Sequence, residues 1–159
     1  MLTNEIKKVV TELIKKNKTI SVMESCTGGG LANLITNIND ASSIFKFGAV
    51  TYSNESKIKM GIPEEVIKKY SVYSMEVAYL MSKAITDYTN SDYGVGITGK
   101  LNSEDPANYT PTDNKVFISV YNKKLEEYKG SEIEVNKESK SENKEIVLEE
   151  ACKILLKII

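Results

Sequence analysis

The densest run of reactive groups is Glu24-Ser25-Cys26-Thr27-Gly28-Gly29-Gly30. It lies between a short apolar segment, Ile20 to Met23, and a stretch with Leu31, Leu34, Ile35 and Ile38 at helical spacing. Strand, glycine-rich turn and helix in that order aim backbone N–H groups at an anion. Ser25 and Thr27 supply hydroxyls, Cys26 a thiol, and Gly28 to Gly30 let a ligand approach the backbone closely. Such amides, with the helix dipole, favour a phosphate or an oxyanion forming in a reaction. The run is not a Walker A loop, because no Gly-Lys-Ser/Thr ending follows, and its consecutive glycines do not fit the dinucleotide fingerprint. The alternative without chemistry is a plain strand-to-helix turn capped by Ser25.

A serine at its free pKa is inert and needs a base. The 159 residues include no His, which excludes a Ser–His–Asp triad, a histidine base and every His-containing zinc site. All 21 basic residues are Lys, so bidentate clamping of phosphate by guanidinium is excluded as well. The absence of Arg and His beside abundant Lys, Asn and Ile reads as a composition bias of the source. The remaining bases are a desolvated lysine, an ionised tyrosine or a carboxylate. Tyr52-Ser53-Asn54-Glu55-Ser56-Lys57 places a phenol and an amine just past an expected strand, where α/β sheets carry ligand groups. Bringing a lysine from about 10.4 down to about 7–8 costs roughly 4 kcal/mol, which burial can supply and a solvated surface cannot. Without such context Lys57 is one exposed lysine among 21.

Cys26 is the better intrinsic nucleophile, but it lacks an imidazole partner and reads as a core residue or one behind the site. Glu24 can cap the turn, hold Lys57 or hold a substrate amine. Cys152, among Ala151, Ile154 and Leu155, reads as core. Two cysteines are too few for a disulfide scaffold or a four-thiolate metal site, so no metal or other cofactor is expected.

The elements that must position these groups form an alternating series. Amphipathic spacing predicts a helix from Glu5 to Lys16, opened by Thr3 or Asn4. Strands are expected over Ile20 to Met23, Ile44 to Ser53, Tyr93 to Thr98 and Lys115 to Asn122, with Leu125 to Val135 as a sheet-edge partner. Short helices or turns are expected over Asn54 to Met60 and from Pro63, and longer helices over Ser74 to Tyr88 and Ser139 to Ile159. Gly99 to Asn114, with Pro106 and Pro111, reads as a polar loop too long to be a mere connector. The alternation predicts a single layered α/β/α domain over residues 1–159, with helices flanking a mixed central sheet. At 41 % apolar and 27 % charged, this length suits one globular core. A net charge of −1 gives no field for nucleic acid or an anionic membrane. With no apparent secretory signal and no long apolar run, a cytoplasmic address is expected.

Taken together, Glu24-Ser25-Cys26-Thr27-Gly28-Gly29, then Val50-Thr51-Tyr52-Ser53-Asn54 with Lys57, then Gly96-Ile97-Thr98-Gly99 resemble the CinA C-terminal domain family, the PncC-type nicotinamide-nucleotide amidases. Ala41-Ser42-Ser43 with Phe45 fits the family's intervening turn, and the similarity covers essentially the whole chain. The resemblance implies hydrolysis of the carboxamide of nicotinamide mononucleotide to nicotinate mononucleotide and ammonia, in a homo-oligomer. It implies Ser25 as nucleophile, Lys57 as base and Tyr52 as the proton-handling phenol. It also implies contacts to the substrate from Glu24, Cys26, Thr27, Gly28, Gly29, Thr98, Gly99 and Lys100. Two departures bear on the substrate. The family usually follows Thr-Gly with Ile-Ala-Gly-Pro, where this chain has Lys100-Leu101-Asn102-Ser103-Glu104-Asp105-Pro106. The family also tends to carry arginine near the start of its last helix, where this chain has Asn143-Lys144. Those departures keep open two alternatives: an amidase with another substrate, or a catalytically silent relative that binds a nucleotide or a protein.

Overall fold

A computed structural model describes residues 2–102 and 114–159, so most of the expected loop between Gly99 and Asn114 lies outside the described residues. Five strands form one mixed sheet: β1 (Ile20–Glu24), β2 (Phe45–Val50), β3 (Tyr93–Gly99), β4 (Lys115–Asn122) and β5 (Glu127–Glu134). Their spatial order is β2-β1-β3-β4-β5. β1 runs parallel to both β2 and β3, while β4 is antiparallel to β3 and to β5. Six α-helices accompany them among the described residues: α1 (Leu2–Lys16), α2 (Gly30–Thr36), α3 (Asn54–Lys59), α4 (Glu64–Tyr70), α5 (Met75–Thr89) and α6 (Lys140–Ile158).

Side chains alternate across a strand, so β1 divides its residues between two cores. Ile20 and Val22 join Val9 and Leu13 of α1, Leu31 and Ile35 of α2, and Val147, Ala151 and Leu155 of α6. Met23 faces the other way, against Ile67 of α4 and Val77, Met81 and Ile85 of α5. The result is the three-layer α/β/α sandwich expected from the sequence. β1 is buried along its whole length, and its two polar residues, Ser21 and Glu24, are buried with hydrogen-bond partners.

Gly96 in β3 explains how α5 packs. A Cβ on Gly96 would stand 2.5 Å from the Ala78 carbonyl oxygen, so the helix backbone rests directly on the strand. Weak strand propensity at this glycine is the condition for that close approach.

Three local expectations are corrected. α1 begins at Leu2, so Thr3 and Asn4 lie inside its first turn rather than capping it. β2 is shorter than Ile44 to Ser53, because Ile44 closes a 3₁₀ turn and Ser53 caps α3. As an edge strand β2 is also largely exposed. β5 is an exposed edge as expected, but it starts only at Glu127, after Glu126 turns with φ 52°.

Candidate active site

Because β1, β2 and β3 run in one direction, their carboxyl ends share one end of the sheet, where α/β folds bind ligands. Glu24-Ser25 leaves β1, Thr51-Tyr52 leaves β2, and Thr98-Gly99 ends β3. Backbone bonds fix the central turn from both sides: Ser25 N–H donates to the Ile97 carbonyl at 2.9 Å, and Thr51 N–H donates to the Glu24 carbonyl at 2.8 Å.

Lys57 reaches this point from α3. Ser53 caps that helix and exchanges bonds with Ser56 in a capping box, which starts the helix directly behind β2. Lys57 follows directly after the capping box, in the last turn of this short helix, and its stem folds inward to leave only 1 % of the residue exposed. Its Nζ donates to the Thr51 carbonyl at 2.7 Å and to Ser25 Oγ at 3.0 Å. The amine and hydroxyl lie 32 positions apart in the chain and meet in a buried pair. The bland alternative for Lys57, a solvated surface lysine, is overturned. Ser25 itself is 7 % exposed, which leaves a narrow path for a reactant. The Thr51 hydroxyl is buried and has no hydrogen-bond partner among the described residues.

The glycine turn departs from the simple picture of a serine-capped helix. Gly29, at φ 97°, occupies the cap position of α2, and no side chain of that residue can cap. Glu24 does so from seven residues upstream. Its carboxylate is fully buried and accepts from Leu31 N–H at 2.9 Å, Ala32 N–H at 3.0 Å and the Thr27 hydroxyl at 2.6 Å. The first amides of α2 are therefore taken by an internal anion and do not serve an external one. Among the described residues, the N–H groups of Thr27 and Gly29 have no hydrogen-bond acceptor, whereas Cys26 N–H faces its own thiol and Gly28 N–H donates to the Ser25 carbonyl.

The other expected contacts divide by exposure. Thr98 is 1 % exposed, and its hydroxyl donates to the Val72 carbonyl, a structural bond. Gly99 is packed against the β4 backbone, where a Cβ would meet the Lys115 carbonyl at 2.6 Å. Lys100 is 6 % exposed and donates its N–H to the Lys115 carbonyl. Tyr52 lies at the opposite extreme, 62 % exposed at the end of edge strand β2. Its side chain is not enclosed with the Ser25–Lys57 pair.

Cys26 is buried in the α1/α2/α6 core. Burial pushes its thiol up to about 12, against the opposing pull of Lys57, so it stays protonated and un-nucleophilic at neutral pH. Cys152 is likewise buried and pushed up to about 12 by desolvation. The expected result is that neither thiol reacts with iodoacetamide in the native protein at pH 8, while both react after denaturation; mass spectrometry of the alkylated protein reads this directly.

Lys144 is a residue that spacing by itself did not bring to the site. It lies in the second turn of α6, and its Nζ would be 3.6 Å from a Cβ on Gly28. Its neighbour Asn143 is fully buried and spent on internal bonds to Asn102 and to the Lys137 backbone. The only earlier signal for Lys144 was the resemblance to a family with a cation in this region.

These features define an α/β domain with a buried hydroxyl–amine pair at the carboxyl ends of its parallel strands. The sequence matches the CinA C-terminal domain over residues 3–159, and the chain belongs to that family. A CinA-like protein from Desulfovibrio desulfuricans is 41 % identical over 92 residues, covering 57 % of this chain and 22 % of that protein. A relative from Clostridium botulinum (strain Okra / Type B1), carrying a competence-damage inducible name, is 38 % identical over 114 residues, which cover 71 % of this chain and 28 % of that protein. This chain spans about a quarter of the length of such relatives. A CinA superfamily protein from Escherichia coli has the same fold, with a TM-score of 0.88 at 20 % identity, covering 100 % of this chain and 91 % of that one. Another, a competence/damage inducible protein from Agrobacterium tumefaciens, aligns with a TM-score of 0.89 at 21 % identity over 98 % of this chain and 94 % of that one.

Proposed function

We propose that this chain is an amidase that hydrolyses the carboxamide of nicotinamide mononucleotide, with Ser25 as nucleophile. The observation that carries the reading is the 3.0 Å contact between Ser25 Oγ and the Nζ of a lysine that is 1 % exposed. Hydrolysis of an amide needs an activated hydroxyl, donors for the oxyanion and a proton for the departing ammonia. With its amine neutral, Lys57 takes the Ser25 proton along the existing contact as Oγ attacks the carboxamide carbon. The Thr51 carbonyl keeps Nζ oriented through a remaining N–H. The amides of Thr27 and Gly29 are the donors left over to receive the oxyanion. Lys57 returns its proton to the leaving nitrogen, and water then releases the acyl group by the same steps in reverse.

Tyr52 is assigned proton transfer at the outer end of this path, where the resemblance puts it. Its exposure, with Val50 at 52 % and Phe47 at 39 % along the same open strand edge, supports assembly into a homo-oligomer that covers this side. Lys144 is assigned to the phosphate as a point charge in place of a guanidinium fork. Among the described residues no cluster of metal-ligating side chains occurs, and no helix is long and apolar enough to cross a membrane.

Ammonia release measured over a panel of pyridine mononucleotides and nucleosides tests the reading. Nicotinamide mononucleotide is expected to be turned over with EDTA present. Lys144→Ala is expected to raise KM for the mononucleotide about tenfold and to leave the riboside unchanged, as loss of one charge-assisted phosphate contact requires. No turnover of any amide, together with binding of a nucleotide, would replace the amidase reading with that of a silent binder.

A further inference from the structure

We infer that Glu24 is a positioning residue for the nucleophile, an assignment that rests on the amidase reading for its kinetic consequence but not for its geometry. Glu24 is the residue immediately before Ser25, and its two ends are held separately. Its carbonyl is bound by Thr51 N–H at 2.8 Å, from the residue whose own carbonyl holds the Lys57 amine. Its carboxylate is bound by the Thr27 hydroxyl and by two amides of α2 at 2.6–3.0 Å. Ser25 is thus clamped between a strand end that carries the base and a helix that carries the turn.

The carboxylate also decides which amides stay open. Leu31 N–H and Ala32 N–H at the start of α2 are taken by Glu24 from inside the protein. An oxyanion is left with Thr27 and Gly29, on the turn that carries Ser25 itself. Withdrawing the carboxylate frees Thr27 and the start of α2 to move. Gln at this position keeps one acceptor oxygen but turns an NH₂ toward a donor, since all three of its partners donate.

Glu24→Gln and Glu24→Ala, each compared with the unaltered chain, test this. Two rates are read: kcat for ammonia release, and phosphonylation of Ser25 by a fluorophosphonate probe, followed by mass spectrometry. Thermal unfolding gives the folded fraction. Glu24→Gln is expected to lower both rates about tenfold per folded molecule and Glu24→Ala about a hundredfold, with KM for the mononucleotide changed by less than about threefold. Glu24→Asp is expected to recover part of the loss, which a purely steric role would not predict. Rates per folded molecule equal to those of the unaltered chain in both variants, or losses that only follow the unfolded fraction, overturn the assignment. If the unaltered chain is phosphonylated but releases no ammonia, the amidase reading alone falls, and the labelling rates still judge Glu24. If it does neither, both fall.

Discussion

Ser25→Ala is expected to leave a folded protein that releases ammonia at least about ten-thousand-fold more slowly than the unaltered chain, or not measurably. Loss of a nucleophile removes the covalent route entirely, and what survives is the modest contribution of binding and oxyanion donors. The fold tolerates the change because Ser25 is held through its backbone, N–H to Ile97 and carbonyl to Gly28 N–H, and these bonds do not involve the side chain. Among the described residues the hydroxyl's hydrogen-bond partner is the Lys57 amine, which keeps its bond to Thr51. The measurement is a coupled ammonia assay on protein whose unfolding midpoint matches the unaltered chain. Full activity in Ser25→Ala with loss in Cys26→Ala would hand the chemistry to the thiol, against its burial and its value of about 12.

Lys57→Met separates catalysis from stability even more sharply. Methionine has nearly the length of the lysine stem and no base, so kcat is expected to fall about 10²–10⁴-fold, the range for a positioned general base. KM should change little, because a base acts as the barrier is crossed and not in holding the ground state. Stability should move the other way or not at all. The variant loses the bonds to the Thr51 carbonyl and to Ser25 Oγ, about 1 kcal/mol each, against the gain of a buried thioether in place of a buried amine that is costly to desolvate. An unfolding midpoint at or above that of the unaltered chain, beside a collapsed kcat, marks a lysine retained for function at the expense of stability. An unchanged kcat would return Lys57 to a structural role.

The two results bear on one another. If Ser25 and Lys57 act as a unit, the double variant is no slower than the slower single one. Additive losses would mean that each residue works through a separate partner, and the 3.0 Å contact would then be incidental.

Much of this was legible in the chain itself. The alternation of amphipathic and fully apolar segments fixed the layered architecture, because burial on one face or two is written in the spacing of apolar residues. The absence of His left a desolvated lysine, an ionised tyrosine or a carboxylate as bases for serine, a deduction from residue chemistry with no geometry in it, and only the family resemblance pointed to Lys57 among them. The run from Glu24 to Gly30 and the Tyr52-to-Lys57 segment marked the candidate site, and their order with Thr98-Gly99 carried the family resemblance. Gly96 looked like a flaw in a strand, because the helix backbone it admits comes from residues 78–82, outside any local window.

What the sequence could not contain was which of 21 lysines would lose its water. That was decided by α3 starting directly behind β2 and turning one stem inward between two strands that meet only after the sheet has formed. The same holds for Glu24, whose partners are three to eight residues downstream and come within reach only when the glycine turn doubles back through its left-handed residues. Residue type sets what a group is able to do, while desolvation and hydrogen-bond partners set what it does, and both of those depend on neighbours brought together from distant parts of the chain.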